Sequence, residues 1–236
     1  GMAFGLGFIF GPFIGGELGQ YKVLGNPGAL AAFVAAALSI VNLVLAVFSL
    51  PESIPLEKRG RSTRRAVPFD MEALSRAARL PGVALAIVLS FMVTFWFAGL
   101  EQTFRLFTED AFNMSVAGTG RIFGFVGIMA VIVQGGLIHV MSRRFGEKKL
   151  VGVGAFFLAV GFLLIALSPG APDTGLVLLF AGAGTMAVGN GFHTPSISSY
   201  ISRQAGAEAQ GLTLGVLQSL GALARVLGPL AGGLSY

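Results

Sequence analysis

Five stretches of 21 residues or more carry no Asp, Glu, Lys or Arg: 23–51, 80–100, 122–142, 150–172 and 174–202. A helix of about 20 apolar residues matches the hydrocarbon thickness of a bilayer, so each stretch can cross once. Residues 209–236 form a sixth, interrupted by Arg225, and residues 1–16 are a shorter apolar run. The runs are continuous, whereas barrel strands alternate over about 10 residues, so helices are favoured. Seven spans are expected, at about 1–16, 28–50, 82–100, 120–141, 150–168, 175–200 and 212–236. Composition removes the alternatives. Charged residues make up 11% of the chain and hydrophobic ones 54%, against roughly 25% charged in a soluble domain. Disordered chains are poor in apolar residues, so disorder is excluded as well. The expected fold class is an all-α polytopic membrane protein.

Basic residues set the orientation. Lys58, Arg59, Arg61, Arg64, Arg65, Arg76 and Arg79 lie in loop 51–80, four more in loop 142–149, and Arg203 in loop 201–211. Twelve of the 16 basic residues thus fall on alternate loops, which the positive-inside rule puts in the cytoplasm of a cell-membrane protein. The pI of about 10.1 follows from that asymmetry, and nucleic acid is not an expected partner. Residues 1–16 lack a basic n-region and do not read as a signal peptide. Within 51–80, Pro55, Gly60 and Pro68 punctuate the chain. Residues 70–79 suit a short amphipathic helix along the inner surface, with Met71, Leu74 and Leu80 towards lipid, or else a flexible basic linker.

One motif occurs twice. Gly11-Pro12-Phe13-Ile14-Gly15-Gly16 matches Gly228-Pro229-Leu230-Ala231-Gly232-Gly233 in the last span. Glycine at this density lets helix backbones approach, and proline bends a helix by freeing a carbonyl. At 100° per residue, Gly1, Gly5, Pro12 and Gly16 share one face, and Gln218, Gly221, Ala222, Arg225, Pro229 and Gly232 share another. Helix packing alone explains glycines; the same six-residue spacing in distant spans points further, to the internal repeats of secondary transporters.

Gly7-x-x-x-Gly11-Pro12-x-x-Gly15-Gly16 resembles the antiporter motif in the fifth helix of major facilitator superfamily drug:proton exporters. Leu50-Pro51-Glu52-Ser53 before a basic central loop, Gly99-Leu100-Glu101-Gln102-Thr103-Phe104, and Gln134-Gly135-Gly136-Leu137 are similar to later parts of that family. So are the loop Arg143-Arg144-Phe145-Gly146-Glu147-Lys148-Lys149 and Gln218-Ser219-Leu220-Gly221 with Arg225-x-x-Gly228-Pro229. The resemblance covers essentially the whole chain and is nearest to tetracycline and multidrug efflux carriers. It implies a major-facilitator-type helical bundle, with seven of twelve helices, the fifth to the eleventh, in this sequence. Residues 1–50 would close the N-terminal half, 51–80 would be the cytoplasmic central loop, and 81–236 would supply five helices of the C-terminal half. It further implies alternating-access export of a small lipophilic molecule, with protons as coupling ion and the lipid bilayer as surroundings. The loop departs from the family pattern, since Arg143 stands where an Asp is usual; Arg144, Lys148 and Lys149 then read as inner-surface anchors around Gly146.

An ionisable side chain inside a bilayer is costly and is functional by default. Arg225 is the clearest case, pairing an acid such as Glu101, polarising a substrate, or bonding structurally to Gln218. Gln134 and Asn190 could contact substrate or a neighbouring helix. His193, followed by Pro195, marks an expected break or kink, where an imidazole could serve a proton relay or a purely structural bond. Trp96 and Phe97 suit an apolar cavity or an interfacial belt. His139 reads as interfacial, Glu17 and Arg121 as boundary anchors, and Asn113-Met114-Ser115 matches a glycosylation acceptor.

No catalytic or nucleotide-binding motif occurs, so an enzyme is not expected. With two histidines and no cysteine, neither a metal site nor a cofactor is expected. The rivals are a symporter for a sugar or other metabolite, a channel, and a transporter-like sensor. A channel wants a continuous polar stripe, and this chain offers isolated polar residues on glycine-rich helices.

Overall fold

A computed structural model describes residues 2–23, 25–50 and 71–235. The stretch 51–70, with Lys58, Arg59, Arg61, Arg64 and Arg65, lies outside the described residues.

The chain opens with α1 (Met2–Leu18), which continues through Pro12. A two-residue hairpin follows, β1 (Lys22–Val23) paired antiparallel with β2 (Asn26–Pro27). Gly25 and Gly28 both take φ +80°, a region where L side chains are strained, and so turn the chain into α2 (Ala29–Ser49). No residue of α2 is buried, and Phe48 is 84% exposed. A helix apolar on every side with no buried face is untenable in water and is at home among lipid chains.

Beyond the undescribed stretch, α3 (Met71–Ala78) is helical as one of the two expectations had it. It does not merely lie along lipid. Ala77 is buried with Val83, Ile87, Ile197, Ile201 and Leu217, which ties α3 to the rest of the bundle. Gly82, at φ +73°, turns the chain under Tyr200 into α4 (Val83–Phe112).

α4 outruns its expected end by twelve residues. The uncharged run stops at Glu101, but charge does not break a helix. Arg105 and Glu109 form an i,i+4 ion pair at 2.8 Å within it. The stop comes at Asn113, left-handed at φ +50°, and Ser115 then caps α5 (Val116–Ile132) by accepting the Gly118 N–H at 3.2 Å. The Asn113-Met114-Ser115 triplet is thus the connection between two helices.

α5 passes through one π-helical turn, Val133–Leu137, into α6 (Ile138–Phe145), giving a single apolar span Val116–Phe145. Gly146 (φ +79°, ψ 157°) then starts α7 (Glu147–Leu167), which ends in a 3-10 turn, Ser168–Gly170. α8 (Gly175–Ser235) doubles back at Gly206 (φ +66°, ψ 171°) into two arms, Gly175–Gly206 and Ala209–Leu234. The helix runs through His193 and Pro195 without leaving helical geometry, so the expected break there does not occur. Its missing N–H is tolerated because apolar helices on several sides enforce the path.

Six of the described helical spans are long and apolar enough to cross a bilayer. α1, at 17 residues or about 26 Å of rise, is a further apolar helix. The molecule is an all-α polytopic membrane protein. Arg143, Arg144, Lys148, Lys149 and Arg203 gather at one end of the bundle, the basic end, and Glu17, Arg121, Glu109 and Asp173 lie towards the other. The central core joins Phe104, Ile122, Leu158, Ile165, Leu179 and Met186, with Phe104 edge-on to Phe123 at 5.3 Å.

Candidate functional site

Glycine sets how closely the helices approach. α1 packs chiefly along α5, where a Cβ on Gly16 would stand 3.0 Å from the Gly120 Cα and 3.2 Å from the Val116 carbonyl oxygen. A Cβ on Gly120 would meet the Pro12 carbonyl oxygen at 3.0 Å, and Phe13 covers Gly124. Gly16, Gly120 and Gly124 therefore make one smooth seam. Gly7, Gly11 and Gly15, four residues apart, lie on another face with nothing described within 4 Å of an added Cβ.

The second copy of the motif also makes a glycine contact, but through the other positions, Gly228 and Gly232, the counterparts of Gly11 and Gly15. A Cβ on Gly99 of α4 would lie 3.0 Å from the Gly228 carbonyl oxygen. One on Gly232 would meet the Gly99 carbonyl oxygen at 3.1 Å, and one on Gly228 would collide with the Phe95 carbonyl. Gly233, the counterpart of Gly16, meets nothing described. Each copy brings a glycine backbone against a glycine of a different helix.

Between α4, α5, α7 and the first arm of α8 is a small chamber of about 40 Å³. α4 contributes Phe97, Leu100 and Phe104, α5 adds Phe123 and Val126, and Ile165 and Met186 close it. Glu101 is its one ionisable lining residue. Because α4 continues to Phe112, Glu101 sits eleven residues before the helix end, deeper than a span ending at residue 100 would put it. Among the described residues it makes no hydrogen bond or direct ion pair, and Arg225 acts on it only through its longer-range field.

The pattern of the Major Facilitator Superfamily matches residues 1–229. The chain belongs to the Major Facilitator Superfamily. Among its relatives, human Major facilitator superfamily domain-containing protein 10 is 30% identical over 100% of this chain and 52% of its own length. Solute carrier family 22 member 18 of Rattus norvegicus is 30% identical over 100% of this chain and 55% of its own. The class C tetracycline resistance protein of Escherichia coli is 29% identical over 96% of this chain and 54% of its own. The chain spans about half the length of the curated relatives it matches.

The remaining polar residues of this superfamily member divide into two groups. Asn190 accepts a hydrogen bond from Thr194 Oγ1 at 2.9 Å. It shares a helix face with Ala183 and Ala187, which line the chamber. Gln218 and Arg225 are exposed on the second arm of α8, and no hydrogen bond joins them, so the structural alternative for Arg225 is not seen. Trp96 is 61% exposed and edge-on to Phe95 at 5.1 Å; Phe97, not Trp96, faces the chamber.

The second group lies towards the basic end. Gln134, in the π-turn, borders an open crevice of about 450 Å³ with His139, Ser142, Glu147, Ser196 and Ser199. Glu147 is its hub, 2.7 Å from Arg203 Nη2 and accepting from Ser199 Oγ at 3.2 Å. Arg143, Lys148 and Lys149 are exposed around it, and Arg144 stacks over Phe145 at 5.5 Å. His193 is buried, its Nδ1 3.3 Å from the Val151 carbonyl oxygen, and its Nε2 has no partner among the described residues. It packs on α7 at Gly154 and does not line the crevice.

Sequence reasoning paired none of Glu17 with Arg121, Gly16 with Gly120, or Glu147 with Arg203. The i,i+4 glycines Gly120 and Gly124 were the signal for a second smooth face.

Proposed function

We propose that this chain is part of a secondary active carrier that exports small lipophilic compounds in exchange for protons by alternating access. Residues 1–50 belong to one half of that carrier, 51–80 connect the halves on the cytoplasmic side, and 81–236 belong to the other half. The observation that carries the reading is the chamber. It is walled by Phe97, Phe104, Phe123 and Met186 and holds one carboxylate, Glu101. As it stands the chamber is far smaller than such a solute, so in this reading it widens as the carrier opens, and its apolar wall then rewards a lipophilic solute by burial, at about 25 cal/mol per Å². An acid in such a wall can take up or release a proton as solute enters or leaves. Arg225, exposed and within electrostatic reach of Glu101, offers a cation that a deprotonated Glu101 would balance. Asn190 and Gln134 continue towards the basic end as polar groups for an entering solute, and the glycine seams supply smooth surfaces for reorientation.

Similarity to a tetracycline resistance protein and to Multidrug resistance protein 2 of Bacillus subtilis, 23% identical over 99% of this chain, supports the direction and makes tetracycline the first probe. The test is saturable, gradient-driven tetracycline flux in liposomes holding the intact carrier, and its loss in Glu101→Gln. Flux that survives Glu101→Gln with its proton dependence intact removes Glu101 from the mechanism.

A further inference from the structure

Glu17 Oε1 accepts a hydrogen bond from Arg121 Nε at 3.0 Å across the α1–α5 seam. The two residues are 104 positions apart in the chain. Each would serve as a boundary anchor by itself; the geometry makes them partners. The second carboxylate oxygen of Glu17 is held by Gln20 Nε2 at 3.0 Å, which leaves Oε1 for Arg121.

We propose that Glu17 and Arg121 form a clasp that holds the two halves of the carrier together at the end opposite the basic end and breaks each time that end opens. The proposal rests on the alternating-access reading above. Three observations carry it. The pair lies directly beside Gly16 and Gly120, where backbone meets backbone, so nothing between the helices can stretch; opening that end must part the pair. Two further ion pairs, Arg105 with Glu109 and Arg203 with Glu147, lie within 81–236 and move with one half. Finally, both side chains are reached by water, with 66% of Arg121 and 33% of Glu17 exposed. A pair this exposed shifts an equilibrium by roughly two- to five-fold, enough to bias a closed state and too little to lock it.

The experiment places spin labels at Tyr21→Cys and Asp173→Cys in the intact carrier in liposomes. Both sites are exposed, one between α1 and the hairpin and the other before α8. The sequence contains no cysteine, so the labels have no competitor in this segment. Two inter-label distances are expected, the shorter with the clasp made. Glu17→Arg should raise the longer-distance population at least two-fold, and Glu17→Arg with Arg121→Glu should return it towards the parent value. A two-distance distribution that Glu17→Arg leaves unchanged, or that the double reversal fails to restore, overturns the clasp while alternating access stands. One fixed distance in the parent and every variant, with and without tetracycline, overturns both.

Discussion

Gly154 of α7 and Gly189 of α8 face each other with no room for a side chain on either. A Cβ on Gly154 would stand 2.7 Å from the Gly189 carbonyl oxygen, and one on Gly189 would stand 2.8 Å from the Gly154 carbonyl oxygen. Gly161 and Gly182 repeat the relationship two turns along, again at 2.8 and 2.9 Å. In lipid there is little hydrophobic drive between helices, so close packing of this kind is what holds α7 against α8.

Gly154→Val should therefore destabilise the bundle by about 1–3 kcal/mol or more through overpacking. The matched control is Gly152→Val, because nothing lies within 4 Å of a Cβ there. Thermal unfolding in detergent, followed by loss of the monodisperse peak, should separate the two variants clearly. Equal losses would contradict the seam.

The repeated motif makes a sharper division within itself. Gly16→Val should abolish export while membrane insertion and expression persist, because it wedges α1 away from Gly120. Gly11 and Gly15 touch nothing described. Bulky residues there should leave the α1–α5 seam intact and reduce export less than Gly16→Val does. Tetracycline flux beside surface-accessible protein checks each variant. Normal flux in Gly16→Val removes the seam from the transport cycle.

Glu147 should matter for stability more than for coupling. It is largely buried, at 13% side-chain exposure, whereas Arg203 is 72% exposed. Glu147→Ala leaves Ser199 and Ser142 without their carboxylate acceptor and should cost about 1 kcal/mol. Arg203→Ala should cost at least as much, since it leaves the largely buried Glu147 carboxylate without its cation. Melting curves check both variants, and a parent-like melting temperature in Glu147→Ala would contradict the hub.

How much was legible in the sequence depended on whether the signal was local. Uncharged runs locate the spans because burial in hydrocarbon leaves a one-dimensional trace. The same trace misplaces the end of α4, because counting charges stops at Glu101 while the helix stops where Asn113 turns left-handed. The motif at 7–16 announces a small-residue helix, yet nothing local says that α5 receives it, or that Gly16 touches and Gly15 does not. The chamber leaves almost no trace: Phe104, Phe123, Ile165 and Met186 come from four helices and look like any lipid-facing residues until the fold gathers them. Glu101, the one polar residue there, is the part that could be singled out. Pro195 misled for the opposite reason, since a proline that would end a helix in water is carried through by the surrounding helices.

Coupling is tested at Glu101. Glu101→Gln keeps the shape of the side chain and removes the ionisable group. It should abolish accumulation driven by a pH gradient while preserving exchange of labelled for unlabelled tetracycline across the membrane. Loss of both activities would make Glu101 a binding or structural residue instead.

The most direct test of the carrier itself is tetracycline uptake into liposomes with an acidic lumen, reconstituted with the intact protein. The expected result is uptake that saturates with tetracycline concentration, collapses when a protonophore dissipates the gradient, and is absent from protein-free vesicles. Uptake that rises linearly with concentration and ignores the gradient would contradict it.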